Sequence, residues 1–252
     1  MHNLHFAAAP YSNSAPLVDF IKQQGNDIKI THGPPSSHIK ELLSEKVDCA
    51  LIPVVHLFEN PCLRYFNNFG VAADGPVRSV LLKCNKPIDE LAIVNKDPSS
   101  ATSNMLAQII LQHYFNQSVE MCINSIAPDG NVIIGDKALF SEKSNYKDVD
   151  LADYWKKLTG LPFVFAVWAV RKDNKHVNEI ENIITNSAVA GMKSIPSIAQ
   201  RYSKEIGNTQ SFWEEYLTTN IHFRFNENDL KGLELFREML CVNEMLSSYV
   251  DA

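Results

Sequence analysis

Small polar residues suited to holding an acid recur where apolar runs of this chain break. At the first break, Phe6–Ala9 meets Pro10, and Tyr11-Ser12-Asn13-Ser14 follows before Pro16. An asparagine amide offers donors and an acceptor without charge. Asn13 can therefore position a ligand but cannot act as a base. The same residue type also serves simply to turn the backbone. At a second break, Ser99-Ser100-Ala101-Thr102-Ser103 precedes a helical run, Met105–Tyr114. The first turn of a helix leaves N–H groups unpaired and carries a partial positive charge. Hydroxyls beside it can hold a carboxylate or phosphate without a formal cation, although plain capping explains a serine there too. At a third, Arg78-Ser79 follows the turn signal Asp74-Gly75-Pro76. Alternation along a strand sends these two side chains to opposite faces. Ser79 is assigned to the ligand and Arg78 to support, paired with an acid such as Asp74. At a fourth, Gly135-Asp136 follows the apolar Val132–Ile134.

Other chemistries lack their signatures. The chain has no H-E-x-x-H, no close His/Cys cluster, no G-x-S-x-G, no P-loop and no G-x-G-x-x-G, so neither a metal nor a nucleotide cofactor is expected. His32, His38 and His56 lie near predicted strand or loop ends, where a surface or capping role is the commoner one. Trp155, Trp168 and Trp213 are assigned to the core. A net charge of −6 argues against nucleic acid, while leaving room for a local anion site. Five widely spaced cysteines without a C-x-x-C pair predict reduced, mostly buried thiols. The N-terminus has no basic leader region, and no run reaches membrane-spanning length. A cytoplasmic protein without a membrane partner is expected.

The elements that must carry these residues begin with a β-α-β-α-β run. Leu4–Ala9, Ile28–Thr31 and Cys49–Pro53 read as strands, with helices over Pro16–Gln24, closed by Gly25, and from Ser36 or Ser37 to Leu43. That order predicts a mostly parallel sheet. Strands follow at Phe69–Ala72, Val77–Cys84, Leu91–Val94, Val119–Cys122 and Val132–Ile134. A long apolar strand ends at Arg171, and helices occupy most of the remainder through Leu246. The fold class predicted is α/β, in two lobes with a cleft between them. Residues 1–82 and 170–252 form lobe one, and 83–169 form an inserted lobe two. The crossings fall near Val77–Cys84 and Ala166–Arg171.

Six stretches, in order, resemble the chorismate dehydratase family of the futalosine route to menaquinone. They are Tyr11–Leu17, Val47–Pro53, Asp74–Val80, Asp97–Ser103, Ile133–Leu139 and Trp155–Trp168. The resemblance implies a type II periplasmic-binding fold used as a cytoplasmic enzyme. The reaction implied is loss of water from chorismate, a dicarboxylate, to give 3-[(1-carboxyvinyl)oxy]benzoate without a cofactor. It implies Asn13 as the catalytic positioning group. Ser14, Ser79, Ser100, Thr102, Ser103, Gly135 and Asp136 would bind substrate, and the enolpyruvyl carboxylate of the substrate would take the proton. Gly135 would let the backbone approach closely; a sibling family of the same pathway has histidine there. The chain departs from the family pattern at Pro10, Ser12, His56 and Ala101. A binding or sensing protein for a small carboxylate on the same fold is the alternative.

Overall fold

The computed structural model describes residues 3–25 and 27–246. Three strands, β1 (His5–Ala8), β2 (Lys29–His32) and β3 (Cys49–Pro53), run parallel in the order β2-β1-β3. They alternate with the short helix α1 (Ala15–Val18) and with α2 (Pro35–Leu43). Every residue of β3 is buried, as expected of a parallel strand covered on both faces. Helix α3 (Val54–Glu59) leads into the eleven-residue β4 (Leu63–Ala73).

The chain then changes sheet. Strands β5 (Val80–Cys84), β6 (Ile93–Asn95), β7 (Glu120–Cys122), β8 (Gly130–Ile134) and β9 (Val149–Asp150) form a second sheet, ordered β7-β6-β8-β5-β9. Helices α4 (Ala101–His113), α5 (Gly135–Leu139) and α6 (Leu151–Thr159) belong to this segment. Strand β10 (Phe163–Arg171) returns to the first sheet, between β3 and β4 and antiparallel to both. Helices α7 (Val177–Lys193), α8 (Ile195–Glu205) and α9 (Gln210–Glu215) follow. The edge strand β11 (His222–Arg224) and α10 (Glu227–Val242) complete the described chain. One apolar cluster runs beneath both sheets, and Trp155, Trp168 and Trp213 lie fully buried in it.

Several local expectations change. The helix expected over Pro16–Gln24 stops at Val18, where Asp19 turns its carboxylate to Arg201 at 2.6 Å. A short 3-10 turn resumes at Ile21, and Gly25 is extended (φ 179°) rather than a left-handed cap. Helix α2 starts at Pro35 without a serine cap; a proline at the first position has no N–H to satisfy. The side chain of Ser36 lies outside the described residues, as do Met1 and His2 of the N-terminus read for a leader. The second change of sheet comes before Phe163, because β10 pairs with β4 along its whole length. The left-handed Gly160 (φ 75°) ends α6 there. The last helix ends at Val242, short of Leu246. Of the five cysteines, only Cys49 and Cys84 are buried. Cys49 and Cys84 lie on β3 and β5, whereas Cys62, in the turn before β4, and Cys241, on α10, are exposed. No described helix is long and apolar enough to cross a membrane.

Helix α7 positions the first polar junction. A Cβ on Gly191 would lie 1.8 Å from the carbonyl oxygen of Pro16, so only glycine lets the two backbones meet. Ser187 Oγ donates to the Leu17 carbonyl at 2.9 Å and is fully buried. The segment after Asn13 is thereby held against the body of the fold.

Candidate active site

A cavity of about 80 Å³ lies where the two sheets meet. It sits beyond the carboxyl ends of β1 and β3, the usual ligand position in a parallel sheet. Its floor is apolar, with Leu51, Val71 and Phe165 from the first sheet and Val80 and Ile134 from the second. Its polar groups are Asn13, Ser14, Ser79, Ser99, Ser100, Thr102 and Ser103, with Tyr11 at one side. None of the lining residues is Asp, Glu, Lys, Arg or His. Ligand pockets run to roughly 300 Å³ and more, so a ring compound enters only if the two walls separate.

Tyr11 precedes a 3-10 turn, Ser12–Ser14. Ser14 Oγ donates to the carbonyls of Ala9 and Tyr11 at 2.8 and 2.9 Å. Its proton therefore braces the loop instead of facing the cavity. Ser12 Oγ donates to the Asp136 carboxylate across the cleft. The amide of Asn13 has no hydrogen-bond partner among the described residues and lines the cavity. The two serines of this loop are engaged by the protein, whereas the Asn13 amide keeps its donors and its acceptor available.

Ser79 reaches the cavity for a different reason from the one expected. Arg78 adopts a left-handed conformation (φ 64°), and β5 begins only at Val80. A bend, not strand alternation, separates the two side chains. Arg78 lies over the Phe212 ring at 4.8 Å and pairs with Glu215 at 3.6 Å, while Asp74 pairs with Lys156 at 2.5 Å. The bend is held by the Asp150 carboxylate, which accepts from the amides of Val77 and Arg78 at 3.2 and 2.7 Å. Burial pushes the Asp150 carboxyl up, and the amide donors oppose it. Sequence reasoning did not assign Asp150 a role; its place just before α6, as the N-cap, was the available signal.

At the start of α4 the hydroxyl cluster caps the helix and also lines the cavity. Ser100 is the N-cap, accepting from the Ser103 amide at 3.2 Å. Ser100 Oγ also donates to Ser103 Oγ at 2.8 Å. Ser103 then keeps its own proton for an acceptor in the cavity. Thr102 Oγ1 accepts from the Val55 amide at 3.4 Å, which ties α4 to α3. Asn104 pins the preceding loop through the backbone of Asp97, at 2.8 and 2.9 Å.

Gly135 lines the cavity in a left-handed conformation (φ 65°), and a Cβ built on it meets nothing within 4 Å. The backbone conformation, rather than crowding by the protein, calls for glycine here. Its amide donates to the Ser79 carbonyl at 2.7 Å. Asp136 does not line the cavity; burial raises its carboxyl, and the bonds from Ser12 oppose the rise. His32, His38 and His56 also stay outside the lining. His38 is fully buried, with its pKa lowered to about 4 by burial, and His56 pairs with Glu59 at 3.0 Å.

A model of a family described as menaquinone biosynthesis matches residues 4–241. The chain belongs to this family. Two curated relatives are both named chorismate dehydratase. The protein of Thermus thermophilus is 28% identical, the match covering 91% of this chain and 92% of that one. The protein of Campylobacter jejuni is 35% identical over 64% of this chain and 65% of that one. Among solved structures, the periplasmic aliphatic sulphonate binding protein of Escherichia coli superposes with a TM-score of 0.65 at 13% identity, covering 96% and 93% of the two chains. At that identity the likeness concerns the fold. The member of the menaquinone-biosynthesis family described here thus has the α/β, two-lobed, periplasmic-binding-protein-like architecture, with its cavity between the lobes.

Proposed function

We propose that this chain is a chorismate dehydratase, a hydro-lyase that forms 3-[(1-carboxyvinyl)oxy]benzoate. Its family membership and the names of its relatives support the activity. The observation that carries the mechanism is a cavity with an apolar floor and neutral polar groups on its walls, lined without any ionisable acid or base except Tyr11. Such a site can hold and orient a dicarboxylate but has no carboxylate or imidazole of its own to take a proton.

The substrate supplies what the site lacks. The ring C–H next to the ether oxygen breaks, and its proton passes to the enolpyruvyl carboxylate. The electron pair enters the ring as the neighbouring C–O bond breaks. The departing hydroxide takes that same proton from the enolpyruvyl carboxyl group and leaves as water, which restores the carboxylate. Aromatisation of the ring drives the step. The protein contributes orientation and exclusion of water. Asn13 fixes the reacting region, while Ser79, Thr102 and Ser103 hold carboxylates near the start of α4. Ser100 orders Ser103, and Ser14 braces the loop that carries Asn13. Gly135 leaves its Cβ position open for the ring, and Asp136 holds Ser12 in the opposite wall.

Lobe one comprises residues 1–82 and 170–252 in the division read from the sequence, with 83–169 inserted. Sheet membership supports moving β10 wholly into lobe one. Work in the cytoplasm fits a biosynthetic acid as substrate. Incubation of the purified protein with chorismate, followed by detection of the aromatic enol ether, tests the proposal. Accumulation of product at a rate proportional to enzyme is expected. Tight binding of chorismate without product would identify a binding protein or sensor instead.

A further inference from the structure

Two hydroxyls beside the cavity have no partner. Ser79 lines the cavity, is fully buried, and its Oγ makes no hydrogen bond. Tyr216 is also fully buried, and its phenolic oxygen makes none. Ser79 lies near enough to the phenol to oppose the rise that burial imposes on it, although neither oxygen has a partner in hydrogen-bonding geometry. Buried polar groups are nearly always paired, and an exception calls for a reason.

Counting protons supplies one. Two O–H groups can form a chain in which the phenol donates to the serine oxygen. The serine proton then needs an acceptor, and no described residue provides one. An anionic oxygen in the cavity would complete the chain. Burial raises the Tyr216 phenol well above its ordinary range, so it stays a donor.

The segment carrying Tyr216 is fixed to the Ser79 loop at several points. Tyr216 opens a π-helical turn, Tyr216–Asn220, just after α9; such turns are rare and frequent at functional sites. Asn220 Nδ2 donates to the Pro76 carbonyl at 2.8 Å. Glu215 pairs with Arg78, whose guanidinium covers Phe212. The distance between the phenol and Ser79 is thereby set by the fold.

We propose that Tyr216 is a positioning residue that donates to Ser79 Oγ and aims the serine proton at a substrate carboxylate. The proposal rests on the dehydratase reading for the identity of that carboxylate. Chains of hydrogen bonds polarise one another, so the pair grips an anion more firmly than the serine alone.

Tyr216→Phe removes only the hydroxyl. KM for chorismate is expected to rise about tenfold, the loss of one modest hydrogen bond, with a smaller fall in kcat. Tm should stay level or rise, because an unpaired buried group is removed. In a Ser79→Ala background the same change should add nothing to KM. An unchanged KM in the single variant, or losses that add in the double variant, would overturn the proposal. A wild-type protein that does not turn over chorismate fails the dehydratase reading instead. The pair is then read by calorimetry with 3-(carboxymethoxy)benzoate, a dicarboxylate probe. Weaker binding of about tenfold in Tyr216→Phe supports the assignment, and equal binding overturns it.

Discussion

The loop at Tyr11–Ser14 and the helix start at Ser100–Ser103 are both polar clusters facing one cavity, but they hold their hydrogen bonds differently. In the loop the serine hydroxyls are engaged by the protein, Ser12 with Asp136 and Ser14 with Ala9 and Tyr11, while the Asn13 amide stays free. At the helix start the cap hydroxyl is engaged and passes its proton inward to Ser103. One wall offers a neutral amide on a braced turn. The other offers hydroxyl protons backed by the partial charge of a thirteen-residue helix. The first suits orientation of a reacting centre, and the second suits a carboxylate. Residue type alone does not separate these roles; the partners already taken do.

Substitutions can break this contrast. Asn13→Ala should have the largest effect, lowering kcat roughly a hundredfold, the scale of a lost positioning donor, with Tm little changed. A near-wild-type rate would move the reacting centre to the other wall. Ser103→Ala should weaken chorismate binding by about 1.5–3 kcal/mol, as for a hydrogen bond to a charged group, read as KM. Unchanged affinity would reduce that cluster to a helix cap. Ser14→Ala should cost about 1 kcal/mol of stability in denaturant unfolding and leave KM alone. A raised KM without lost stability would place Ser14 in contact with substrate.

The smallest effect concerns Asp136 behind the loop. Its carboxyl is raised above 3.8 by burial, so the folded state binds more protons than the unfolded one just above that pH. Stability from this group is present below 3.8 and falls as the pH rises through the raised value. Asp136→Asn should flatten the pH dependence of unfolding in that acidic window. An unaltered profile would show that the Ser12 bonds fully offset burial.

Much of the frame was legible in the chain. The apolar runs at Leu4–Ala9, Cys49–Pro53 and Phe163–Arg171 are strands because their residues alternate little and must be covered on both faces. Strand β4 extends back to Leu63, beyond the Phe69–Ala72 read as strand; Arg64, Asn67 and Asn68 break its apolar pattern, yet Arg64 pairs with Val170 of β10 and the Asn68 carbonyl accepts from the Phe225 amide at 3.0 Å, just past β11. The short β9 and α3 escaped for want of length, although the Asp150 N-cap of α6 carries the bend before Ser79. The gathering of Asn13, Ser79, Ser100, Thr102, Ser103 and Gly135 at one cavity followed from the resemblance and is what the fold brings together. Asp136, named with them, stands behind the wall.

What the sequence by itself determined was which donors and acceptors exist and that they cluster where strands give way to helices. Turn chemistry and capping are local, so they can be read from neighbours in the chain. Which of those groups remains free was decided only by the tertiary structure. Ser12 meets Asp136 across 124 positions, and Thr102 meets Val55 across 47. The π-helical turn that opens with Tyr216 is tied to the loop of Ser79 through Asn220, across 144 positions, and through Glu215. A hydrogen bond needs its partner within about 3 Å, and such distances between remote residues exist only once the chain has folded.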